Sequence, residues 1–74
     1  DKEEESKELL KKLKEILKRS EELLEESKEL LKLAKNGEID ESELADADRK
    51  LNKKHEKLVQ DIQDLLREHE RQDR

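Results

Sequence analysis

The sequence contains no cysteine, proline, methionine, phenylalanine, tyrosine or tryptophan, and only one glycine. Without cysteine there is neither a disulfide framework nor a thiolate nucleophile, and no redox compartment to read. Without aromatic rings there is no platform for stacked bases. A formal net charge of −5 also removes the basic stripe that displaces counterions from a phosphate backbone. Nucleic acid is therefore not an expected partner. Nowhere do more than two apolar residues stand in a row, so no segment is built to span a bilayer. The polar start Asp1-Lys2-Glu3 has no signal-peptide character. A soluble chain is expected, with no membrane partner and no compartment implied.

What is present is charge and periodic leucine. Of 74 residues, 55% are charged and 28% apolar, enough for one small domain at most. Such a balance ordinarily marks disorder. Here the charges are mixed, 18 basic against 23 acidic, and the apolar residues recur with a helical period, which is the composition of a coiled coil or long helix.

From Ser6 to Ala34 a heptad runs with alternating steps of three and four. Its a positions are Ser6, Leu13, Ser20, Ser27 and Ala34, and its d positions are Leu9, Ile16, Leu23 and Leu30. Leu10, Leu17, Leu24 and Leu31 add a complete e column. A second heptad places Leu44, Leu51, Leu58 and Leu65 at d, Asp48, His55, Ile62 and His69 at a, and Ala45, Asn52, Val59 and Leu66 at e. Stripes this wide exceed a two-stranded seam and suit the core-facing helices of a bundle.

The segment between them is dense with stop and start signals. Gly37 fits the left-handed position after a helix, and Lys32 and Lys35 suit the negative helix end. Asp40 with Glu43 forms a capping-box pattern, and Ile39 with Leu44 a hydrophobic staple. Acidic residues crowd both helix starts, and Arg67, Arg71 and Arg74 sit near the second end. The expected fold is all-α: a single hairpin with helices at about 2–35 and 41–72 and a loop at about 36–40, antiparallel because the loop is short. Two helices alone leave leucine columns in water, a larger patch than monomers tolerate. Assembly into a four-helix bundle follows as the expectation. Its interface core would be Leu9, Leu10, Leu13, Ile16, Leu17, Leu23, Leu24, Leu30, Leu31, Leu44, Leu51, Leu58, Val59, Ile62, Leu65 and Leu66.

Polar residues interrupt these columns in matched layers. A hairpin closed around residues 37–40 sets Ser27 near Asp48 and Asn52, Ser20 near His55, and Ser6 near His69. An unpartnered buried polar atom costs roughly 1–3 kcal/mol, so matched layers read as hydrogen-bond networks that specify register and partner. Simpler readings stay open. A helical serine also bonds its own i−4 carbonyl. Asp48, Asn52 and His55 share one helix face and form a ladder without any partner, and Ser6 and His69 lie near the solvated end. Metal binding is not expected, because His55 and His69 are four turns apart and the Glu-x-x-His signature is missing. Catalysis is not expected either. A triad of Ser20, His55 and Asp48 fails because Asp48 and His55 are two turns apart, about 10 Å. No cofactor or small-molecule ligand is implied.

The capped loop 35–43, the repeat-like Ser-Glu-Glu-Leu-Leu-Glu-Glu (20–26) and Ser-Lys-Glu-Leu-Leu-Lys (27–32), and the Ser, His, Asn and Asp positions inside the stripe resemble de novo designed helical hairpins that pair through buried hydrogen-bond networks. The resemblance covers the whole chain and is one of style. It implies a protein–protein interaction module with no natural activity, a subunit of a helical-bundle heterodimer. The alternative is a self-associating homodimer. A dyad along the bundle sets two copies of Asp48 in one layer, where like charges oppose ionisation. A dyad across it sets Ser20 and His55 against Leu13 and Ile62. Both favour a different hairpin as partner, with an identical chain second.

Overall fold

The computed structural model describes residues 1–72, with side chains described through Arg71; Arg74 lies outside them. Two helices, α1 (Lys2–Lys35) and α2 (Glu41–Gln72), pack against each other, and there is no strand among the described residues. Asp1 caps α1, its Oδ1 accepting from the Glu4 amide at 2.9 Å, with Glu3, Glu4 and Glu5 complementing the positive helix end. At the other end the Glu38 amide donates to the Leu33 carbonyl (2.9 Å) and the Gly37 amide to the Ala34 carbonyl (3.3 Å). This is a Schellman closure, and it requires the left-handed Gly37, φ 67°. Lys32 and Lys35 occupy the last turn.

The next helix starts at Glu41, after five loop residues. Asp40 Oδ1 accepts from the Glu43 amide at 2.8 Å, and the Asp40 carbonyl accepts from the Leu44 amide at 2.9 Å. A hydrogen bond with Asp40, and then its like charge, hold the Glu43 carboxyl above its ordinary range. Ile39 and Leu44, on either side of the cap, are both half-buried.

The hairpin is a rod of 54 × 16 × 11 Å. Its radius of gyration is 17.0 Å, against about 11 Å for a globular chain of this length. The core is correspondingly thin. Among the described residues only Leu23, Leu58 and Leu65 are buried, all at d positions, where each helix faces the other. Leu9, Ile16, Leu30, Leu44, Leu51 and Ile62 are half-buried around them. No described helix is long and apolar enough to cross a membrane.

Candidate association face

The two long sides of the hairpin are built differently. On one side, Lys12 Nζ meets Glu68 Oε2 at 3.1 Å, Arg19 Nη1 meets Asp61 Oδ2 at 2.7 Å, and Lys54 Nζ meets Glu26 Oε1 at 2.9 Å. Each pair stands seven residues from the next on both helices, so the bridges recur every second turn along one flank. Half-buried Leu33 and Ala47 continue the same columns toward the loop. Exposed ion pairs add little stability, but this ladder covers the flank with charge and matches the antiparallel register. Lys57 also reaches Asp61, at 2.8 Å. The hydrogen bond from Lys57, then that from Arg19, hold the Asp61 carboxyl below its ordinary range against an opposing desolvation.

The other side is open. The e columns lie there, and Leu10, Leu17, Leu24, Leu31, Val59 and Leu66 are 52–59% exposed, with Leu13 at 48%. The chain exposes 6504 Å², whereas a globular monomer of its mass exposes about 4,800 Å². A rod shape accounts for part of that surplus. Half-wet leucines at every e position of α1 are not an effect of shape, and a contiguous exposed apolar column is the kind of surface that marks an interaction site.

Along its loop-proximal half the open face holds a shallow depression lined by Ser27, Leu30, Leu31, Ala34, Leu44, Asp48, Leu51, Asn52 and His55. It brings together Ser27, Asp48 and Asn52, the layer expected from the sequence. Within the single hairpin these residues do not form a buried network. Asp48, Asn52 and His55 are exposed, Ser20 and Ser27 are half-buried, and no polar side chain among the described residues is buried. Ser27 Oγ donates to the Leu23 carbonyl one turn back, at 2.9 Å, and Asn52 Nδ2 donates to Asp48 Oδ2 along α2, at 3.4 Å. Burial fails for a geometric reason: one neighbouring helix covers d and g columns, leaving a and e columns to water. The expected Ser20–His55 layer is also displaced, since His55 shares the depression with Ser27 and Ser20 lies outside it.

At the chain-terminal end, His69 lines a cleft with Leu9, Leu65 and the carboxylates of Asp1, Glu4, Glu5, Glu8 and Glu68. Ser6 is exposed and outside it. The ladder residues Lys12, Arg19, Glu26, Lys54, Asp61 and Glu68 were not singled out by the sequence reading. Their signal was there, as opposite charges at heptad spacing on both helices, and it becomes legible only once the register is known. Comparisons with family models, curated proteins and solved structures found no match to this chain.

Proposed function

We propose that the chain is an interaction module, a designed-type helical hairpin whose open face packs against a second helical hairpin to complete a four-helix bundle. The observation that carries this is the asymmetry of the flanks: charge ladder on one, seven half-exposed apolar side chains on the other. Covering one leucine-lined face of this size suits the 800 Å² or so that each partner gives to a stable interface. Asp48, Asn52 and His55 sit where the partner's helices would enclose them, so the partner must supply hydrogen-bond groups there. A different chain does this without setting two Asp48 carboxylates in one layer. Self-pairing through the same leucines is the second reading.

Light scattering after size exclusion, combined with thermal melts of the chain alone, tests it. The expected result is weak, concentration-dependent association that Leu17→Asp abolishes. A sharp homodimer of high melting temperature overturns the different-partner reading. A cooperative monomer that is indifferent to concentration and binds no hydrophobic dye overturns association altogether.

A further inference from the structure

The borders of the open face carry charges that a copy of this chain matches poorly. Three residues before each e-column leucine of α1 stands a charged residue: Lys7 before Leu10, Lys14 before Leu17, Glu21 before Leu24, Lys28 before Leu31. A three-residue step keeps two side chains adjacent on a helix, so these four exposed residues edge the leucine column on its solvent side. On α2, Arg49, Glu56 and Gln63 edge Asn52, Val59 and Leu66 in the same way, and Glu70 continues the line. In a four-helix bundle these edges face the partner's helices.

The ion-pair ladder sets the heights. A second copy docked loop to loop, about a twofold axis along the bundle, places its α2 beside α1 level with the chain's own α2. Glu21 then meets Glu56 of the second copy, and Lys28, bridged to its own Glu25, meets Arg49 of the second copy, bridged to its own Asp46, each twice by symmetry. Only Lys7 opposite Glu70 is complementary. A copy reversed end to end sets Asp48 and Asn52 against the end where Leu10, Leu13 and Leu66 are exposed, and the carboxylate loses its water and keeps only Asn52 as a donor.

We infer that the partner is a second helical hairpin with the inverse border. One of its helices carries carboxylates facing Lys7, Lys14 and Lys28 and a cation facing Glu21; the other carries a carboxylate facing Arg49 and a cation facing Glu56. This rests on the association reading above and adds the chemistry of the occupant: the leucine columns supply affinity, and the borders select which hairpin is accepted.

A charge-swapped form of the chain itself is the probe: Glu21→Lys, Lys28→Glu, Arg49→Glu and Glu56→Lys together, all at exposed positions. Alone, it repeats both clashes with signs inverted. Mixed with the wild type, every one of these layers pairs opposite charges. Native mass spectrometry of an equimolar mixture at low salt should show the mixed dimer exceeding each homodimer by roughly tenfold or more, the preference shrinking at high salt. As a second readout, Glu21→Lys with Lys28→Glu makes the same layers complementary within a homodimer, which should bind itself roughly tenfold more tightly than wild type. A random 1:2:1 mixture, or unchanged self-affinity of the double variant, overturns the border inference and leaves association standing. Absence of any dimer in every sample overturns both.

Discussion

Leu23 and Leu24 are neighbours in sequence and opposites in environment, 6% and 54% exposed. That contrast turns a pair of alanine substitutions into a measure of assembly. Leu23→Ala removes a buried side chain packed between the helices and should cost about 2–5 kcal/mol whether or not a partner is present. Leu24→Ala acts on a side chain already half wet in the lone hairpin. Full burial of a leucine is worth roughly 1.5–3 kcal/mol, so about half remains to be lost, on the order of 1 kcal/mol. For a domain this small that is a shift of about 4–8 °C in melting temperature. Once a partner closes over the e column, Leu24 becomes a core residue and its removal moves into the same 2–5 kcal/mol range as Leu23.

The assay is guanidinium unfolding followed by circular dichroism, over roughly a hundredfold range of concentration, with and without the charge-swapped chain. The cost of Leu24→Ala should climb with concentration and with added partner, while that of Leu23→Ala stays high throughout. A Leu24→Ala cost fixed near 1 kcal/mol or below under all these conditions refutes the claim that the open face is an association surface.

Two further outcomes probe the hairpin itself. Gly37→Ala meets no atom within 4 Å, so its cost is the left-handed backbone alone, about 1 kcal/mol, read as a lower denaturation midpoint with an unchanged slope. Asp61 has a depressed carboxyl in the folded state, held by Lys57 and Arg19, so its contribution is present above the unfolded aspartate value and lost as pH falls through the folded one. Asp61→Asn should therefore destabilise the hairpin at neutral pH in low salt, and paired melts should show the difference shrinking as pH falls through and below the ordinary aspartate range. A difference that grows on acidification contradicts the ion-pair assignment.

The helix pair was legible in the sequence because every local signal agreed: a 3.5-residue apolar period on both sides of Gly37, carboxylates at helix starts, lysines at the first helix end. The d columns were legible as core for the same reason, and Leu23, Leu58 and Leu65 are its most buried members. Burial of Ser20, Asp48 and His55 was not legible, because a heptad letter says which direction a residue faces and not whether anything stands there. The letter a points toward the centre of a four-helix bundle, and in a hairpin that centre is water. The Lys12–Glu68, Arg19–Asp61 and Lys54–Glu26 ladder was hidden for a related reason. A charge on a g position reads as ordinary solvated surface until a register places its opposite beside it.

The closed flank bears on assembly as directly as the open one. A hairpin with apolar columns on both sides offers two surfaces to its neighbours, and head-to-tail use of two unlike surfaces generates open-ended growth rather than a closed particle. Here the flank bearing Arg19–Asp61 and its heptad-spaced companions presents satisfied ion pairs, and docking an apolar column there would desolvate them without return. The proposed association is thereby confined to one face. Once the e columns and the polar depression at Asp48, Asn52 and His55 are covered by a second hairpin, as proposed, no comparable apolar surface is left for a third among the described residues. On the proposed function, the same charges that line the closed flank would limit the assembly to a closed pair of hairpins.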